Sequence, residues 1–156
     1  MLKSKFALFA FLRQTGFAAL LLTAAVLSAC GEAGEPPRAE AESLDGERMS
    51  TVTGTYSWGG VEADSEAPPE LIRSEKVHDF VPKGGLRLEF EGEEPFQISA
   101  GLIDMENPQG AAIPVGVDGT TLTLPKEPGY YALQVKGVWK NDDYASYALS
   151  IRIVES

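Results

Sequence analysis

Few residues of this chain have the types and spacing that catalysis requires. The only histidine is His78, followed by Asp79. A catalytic or metal-bound histidine needs partners placed around its ring. Consecutive residues of a strand point to opposite faces, so this neighbouring pair is not expected to interact. We therefore predict a structural histidine, exposed or at a sheet edge.

Two short segments concentrate side-chain oxygens, Asn141–Asp143 and Asp104–Asn107. Calcium takes about six to eight oxygen ligands, and neither segment has the spacing of the twelve-residue calcium loop. Asn and Asp are also common in tight turns. We predict turns and no metal site, and keep binding of a divalent cation or a small cationic solute as an alternative function.

The sequence contains no nucleophile, P-loop or dinucleotide-binding motif. We therefore predict no enzyme, no catalytic residue and no cofactor, with an envelope hydrolase as a further alternative. Residues 30–156 contain ten Lys and Arg against 23 Asp and Glu, a net charge of −13. Such a surface repels phosphate backbones, which argues against a nucleic-acid partner.

Aromatic and polar residues cluster near residues 139–146. Trp58 and Trp139 fall on predicted inward faces and are expected to fill the core. Exposed aromatic side chains beside a loop could anchor a protein or stack on a sugar. The candidate contact residues for a ligand or partner are Tyr130, Trp139, Asn141, Asp142, Asp143 and Tyr144.

The N-terminus has the pattern of a secretory signal. Lys3, Lys5 and Arg13 precede 16 uncharged residues, 14–29. That run is shorter than the roughly 20 residues of a transmembrane helix and suits a signal-peptide core. We therefore predict a signal peptide over residues 1–29.

The end of this segment is more specific. Leu27-Ser28-Ala29-Cys30 resembles the lipobox of bacterial lipoproteins, an aliphatic residue and two small ones before a cysteine. The resemblance implies that Cys30 is acylated and becomes the first residue of the mature protein. The acyl chains would hold the protein to the membrane without spanning it. The expected location is the extracytoplasmic face of the cell membrane, or the outer membrane if the host has one.

Residues 31–50 contain six acids and two prolines, with Leu44 the only large aliphatic residue. Such a composition buries little apolar surface, so we predict a disordered acidic tether over residues 30–50.

Residues 51–156 are dominated by period-two alternation, which predicts a domain of half-buried strands separated by turns. The inward sets include Val52, Tyr56 and Trp58 in one strand and Phe96, Ile98, Ala100 and Leu102 in another. Residues 130–139 and 145–154 are predicted as the last two strands. Residues 70–80 fit either a strand or one or two helical turns.

Glu127, Gly129 and Tyr131 resemble the tyrosine corner of immunoglobulin-like sandwiches, with Leu133 at the position of the second core cysteine. The resemblance implies a tyrosine hydroxyl that bonds back across the corner. The predicted fold is therefore an all-β, small antiparallel sandwich, immunoglobulin-like or fibronectin III-like, without a disulfide, with another antiparallel β fold as the alternative. The expected function is a lipid-anchored accessory or binding module that contacts a protein partner in the envelope.

Overall fold

A computed structural model describes residues 34–81 and 85–155. Cys30, the lipobox and the signal segment lie outside the described residues. Within the described ranges, no helix is long and apolar enough to span a membrane.

In the part of the chain that the structure describes, twelve strands form two sheets. Seven strands come before residue 105: β1 (Ala39–Ser43), β2 (Arg48–Ser50), β3 (Val52–Trp58), β4 (Val61–Ala63), β5 (His78–Phe80), β6 (Leu86–Phe90) and β7 (Gln97–Asp104). Five follow: β8 (Ile113–Pro114), β9 (Gly116–Asp118), β10 (Thr121–Thr123), β11 (Gly129–Val138) and β12 (Tyr144–Ile153). A four-residue helix, α1 (Pro68–Leu71), precedes β5, and one 3-10 turn, Lys140–Asp142, joins β11 to β12.

The strand order is that of a sandwich. One sheet has the order β2-β1-β6-β10-β9, and the other has the order β4-β3-β12-β11-β7-β8. Neighbouring strands in both orders are antiparallel, while β5 pairs in parallel with β12. In the lettering used for immunoglobulin domains, the first sheet contains strands A, B, E and D, which are β1, β6, β10 and β9. The second sheet contains strands G, F and C, which are β12, β11 and β7. This connectivity is that of a constant-type immunoglobulin sandwich. The predicted all-β sandwich is confirmed.

The core lies between the sheets and is filled by the inward faces of β6, β10, β11 and β12. Its largest members come from the last hairpin, β11–β12. The fully or nearly fully buried side chains there are Tyr131, Leu133, Val135, Tyr147, Leu149, Ile151 and Ile153.

The corner before β11 has the geometry that the resemblance implied. The Tyr131 hydroxyl donates a long hydrogen bond of 3.4 Å to the carbonyl oxygen of Glu127. A Cβ at Gly129 would lie 2.6 Å from that hydroxyl, so the ring packs directly over the glycine. Burial, and next the nearby Asp104 carboxylate, raise the pKa of Tyr131.

The predicted tether is wrong for residues 39–50, which form β1 and β2. Ala41 is fully buried between Leu88 of β6 and Met49 of β2, its partners in the pairing register. Small residues alternate here with acids that point outward and pair with arginines of the same sheet. A strand of this composition buries little area per residue, which is why composition alone predicted disorder.

Two expected inward positions in the second sheet are also wrong. Phe96 precedes β7 and is 68% exposed. Val52 packs with Ala148 in a small cluster apart from the main core, whereas Tyr56 packs against the main core. Between these two positions, the pairing of β3 with β12 shifts at a bulge opposite Ser146. An extra residue in a strand reverses which face the following side chains occupy.

Residues 70–80 were predicted to be either a strand or helical turns, and they contain both, because the end of α1 is followed by β5. Ile72, just after α1, is fully buried on Ala132 and Ala148, where the small side chains leave room for it. Among the described strands, β5 pairs with β12 alone, so His78 lies on an edge strand as predicted, but it is buried rather than exposed. Its Nδ1 lies 3.1 Å from the Glu47 carboxylate, so it links the two sheets.

Candidate binding surface

Three loops and the start of the described chain meet at one end of the sandwich. We call this the loop end: residues 59–60, 91–96 and 139–143, with Gly34 beside them. Gly34 lies against Val61, and a Cβ at Gly59 would lie 3.8 Å from the Gly34 nitrogen. The backbone of Gly59 donates a 3.1 Å hydrogen bond to the Asp143 carboxylate. The chain therefore enters the domain at the end where the predicted contact loop lies.

The loops 91–96 and 139–143 are fixed to each other through Glu93. The indole nitrogen of Trp139 donates a 2.7 Å hydrogen bond to the Glu93 carbonyl oxygen. The Lys140 ammonium donates a 2.8 Å bond to the Glu93 carboxylate, and this bond raises the pKa of Lys140. Pro95 and the Trp139 ring also lie over Gly137, where a Cβ would come within 3.2 Å of both.

Trp139 is buried, as predicted, in an aromatic cluster behind these loops. Its ring meets those of Trp58 and Phe90 edge-on, with centroids 5.0 and 5.6 Å away. Edge-to-face pairs at this separation add stabilisation beyond the area they bury. Trp139 therefore supports the loop end from behind and does not itself present a contact face.

The three oxygen-bearing residues of the loop shape its backbone. Asn141 and Asp142 have φ angles of 64° and 62°, the left-handed region that Asn and Asp tolerate better than most residues. The Asp143 carboxylate binds Gly59, and the Asp143 carbonyl oxygen accepts a 2.7 Å bond from Trp139. The predicted turn is confirmed. Across the described ranges, no group of three or more His, Cys, Asp and Glu side chains could hold a metal ion.

Tyr130 and Tyr144 are not brought together. Tyr144 lies beside the loop end, where the Lys136 ammonium stands 4.4 Å from its ring centroid. Tyr130 begins β11 at the opposite end, where its hydroxyl meets Ser150 at 3.3 Å and Arg152 covers its ring. Each ring is half-buried under a neighbouring cation. Because only Tyr144 lies beside the loop end, only Tyr144 belongs to the candidate surface.

The loop end also exposes a large apolar side chain that the alternation misplaced. Phe96 is the most exposed large apolar residue of the described chain, ahead of Leu44 and Val61. Its backbone nitrogen donates a 3.0 Å bond to Val138, which fixes its position beside β11. Pro95 has no backbone N–H to donate to a neighbouring strand, so it marks the end of the segment in which alternation predicts a strand.

The charge of the loop end is mainly acidic. Glu91, Glu93, Glu94 and Asp142 are exposed there, and Lys140 is paired with Glu93. Comparison with family models, curated proteins and solved structures finds no match to this chain. The assignment of function therefore depends on the sequence and on this geometry.

Proposed function

We propose that the protein is a lipid-anchored binding module on the extracytoplasmic face of a bacterial membrane, where it contacts an envelope protein through the loop end. The proposal is carried by the coincidence of two features. The lipobox-like segment ends at Cys30, and Gly34, four residues further along the chain, packs beside the candidate contact loops.

The length of this connection limits where the domain can stand. Four residues span at most roughly 14 Å when fully extended. A lipid on Cys30 would keep Gly34 within that distance of the membrane surface. The segment from Gly34 is itself held to the domain, since the Tyr147 hydroxyl donates a 2.6 Å bond to the Pro37 carbonyl oxygen. The loop end would then face a partner close to the bilayer rather than one far from it.

The geometry of the loop end supports a binding role. Its loops are joined by hydrogen bonds and by a buried tryptophan, so little conformational entropy is lost when a partner binds. Loops held by a rigid scaffold are common binding sites, and sandwiches of this connectivity use the loops at one end.

The anchor is tested with Cys30→Ala in the native host. We expect the variant to lose acylation, measured by incorporation of labelled palmitate, and to leave the membrane fraction or accumulate unprocessed. Ser28→Ala, which keeps a small residue before the cysteine, is the matched control and should behave as wild type. If Cys30→Ala is still processed and membrane-bound, the anchor proposal is wrong.

The binding role is tested by photo-cross-linking in the anchored protein. p-Benzoylphenylalanine is placed at Asn141 in the loop end, or at Leu44, which is exposed in the β1–β2 turn at the opposite end. We expect a discrete protein adduct from position 141 and none from position 44. Equal labelling at both positions, or no adduct at either, contradicts a partner site at the loop end.

A further inference from the structure

We propose that Phe96 is the anchor residue of the loop end and inserts into an apolar pocket, rimmed by Lys or Arg, on the protein partner. This inference rests on the proposed binding role and adds the contact residue and the chemistry of the partner surface. The site is not one that the sequence predicted, since the alternation placed Phe96 in the core.

The exposure of Phe96 is unusual for its environment. Phe96 is 68% exposed and lies just before β7, whose inward residues reach the core, including Leu102, which is fully buried. Burying a phenylalanine side chain away from water is favourable, both in folding and in association. That free energy is largely unrealised in the isolated domain and becomes available when a partner covers the ring.

The position of Phe96 is held by its surroundings on both sides. The backbone bond to Val138 fixes the residue itself. Pro95 packs over Gly137, and Glu93 binds both Trp139 and Lys140. An aromatic side chain on such a support is a preorganised anchor, because binding does not first have to order the loop.

The charge around the ring selects the partner. Glu94 precedes Phe96 by two residues and is exposed, and Glu91 and Asp142 add to the acidic surface nearby. A second copy of this chain would present the same acidic surface and be repelled, and an anionic bilayer would be repelled as well. An apolar pocket on the partner would bury the ring, and Lys or Arg side chains at its rim would pair with the carboxylates around the ring.

The first test places p-benzoylphenylalanine at Phe96 in the full, anchored chain, with Val117 as the control position. Val117 is exposed on the edge strand β9. We expect one protein adduct from position 96 and none from 117, with the cross-linked partner peptide lying beside Lys or Arg. An adduct to lipid or to a second copy of this chain, or no adduct at all, overturns the inference.

The second test measures the affinity of the partner identified by that adduct. Phe96→Ala should raise Kd by at least about thirtyfold, the effect of an interface hot spot. Glu94→Lys should slow association and reduce its dependence on salt, while Val117→Ala should change neither. Because Phe96 and Glu94 are exposed, all three variants should keep the wild-type Tm.

The two proposals fail differently. If position 141 yields a partner adduct but position 96 does not, or if Phe96→Ala binds with the wild-type Kd, the loop end binds without Phe96 and this inference is wrong. If neither position yields a protein adduct, the binding role itself is wrong.

Discussion

The hairpins β1–β2 and β11–β12 lie in opposite sheets of one core and are stabilised in different ways. The β11–β12 hairpin pairs ten residues of each strand and points large side chains inward, among them Leu133, Tyr147 and Ile151. The β1–β2 hairpin pairs three residues of each strand and points Ala41 and Met49 inward.

The outward faces of the two hairpins differ as well. Glu42 of β1 lies between Arg48 of β2 and Arg87 of β6, at 3.6 and 3.4 Å, and Glu89 contacts both arginines. The outward face of β11–β12 is instead covered in part by Ile72 after α1. The later hairpin is therefore stabilised mainly by buried area, whereas the earlier one depends on a close fit around small residues and on exposed ion pairs.

The largest expected effect is therefore in the later hairpin. Leu133→Ala should lower the free energy of unfolding by about 2–5 kcal/mol, because it removes a large side chain from a close-packed site and leaves a cavity. Urea denaturation measures the change. Leu44→Ala, at a residue that is 65% exposed in the β1–β2 turn, is the matched control and should cost well under 1 kcal/mol. Equal losses in the two variants would show that the core does not lie where the structure places it.

In the earlier hairpin, the more informative substitution enlarges a small side chain rather than truncating a large one. Ala41→Leu should lower the free energy of unfolding by about 1–3 kcal/mol, because Ala41 is fully buried between Leu88 and Met49 and a larger side chain there must displace its neighbours. Ala111→Leu, at an exposed residue, should be close to neutral. A disordered tether would accept Ala41→Leu without loss, so a neutral result would restore the prediction made from composition.

The same contrast explains what the sequence could predict. The alternation of large residues was sufficient for the late strands, where residues 130–139 and 145–154 were expected and Gly129–Val138 and Tyr144–Ile153 are observed. Residues 39–43, Ala-Glu-Ala-Glu-Ser, also alternate, but their inward members are small. The strand forms because β6 supplies the apolar surface and Arg87, which is information that lies more than forty residues away along the chain.

The candidate surface was predicted only in part. The turn at Asn141–Asp143 and the burial of Trp139 followed from residue type and alternation, whereas the link through Glu93 depends on a contact between distant loops. The exposure of Phe96 depends on where β7 begins, and strand boundaries are poorly determined by alternation alone. Tyr130 lies at the opposite end from Tyr144, and the predicted strand over residues 130–139 already implied that separation.

A pH-dependent effect of intermediate size on the free energy of unfolding is expected from Tyr147, which lies in the later hairpin. Burial raises the pKa of the Tyr147 hydroxyl above its ordinary value of 10. Above about pH 10 the unfolded chain therefore loses this proton before the folded chain does, so the free energy of unfolding falls as pH rises. The slope is at most about 1.4 kcal/mol per pH unit for one group.

Tyr147→Phe removes this ionisation and should reduce the loss of stability between pH 10 and 11.5, as measured by urea denaturation at each pH. At pH 7 the hydroxyl is protonated in both states, so the difference there isolates the bond to Pro37, about 0.5–1.5 kcal/mol. An unchanged alkaline slope in Tyr147→Phe would mean that this phenol does not control the alkaline limit of the fold.

The smallest effect is expected on the outward face of the earlier hairpin. Arg48 is 63% exposed and contacts Glu40, Glu42 and Glu89 at 3.5, 3.6 and 3.1 Å. Exposed ion pairs contribute about 0–1 kcal/mol each, but a network gives more than an isolated pair. Arg48→Ala should cost about 1 kcal/mol at low salt and less at 1 M NaCl, since salt screens exposed charges. Arg73→Ala, which breaks one exposed pair with Glu70, should cost only a few tenths of a kcal/mol. If the two variants cost the same at low salt, the ion pairs do not stabilise the β1–β2 hairpin, and the fit around Ala41 and Met49 must hold it alone.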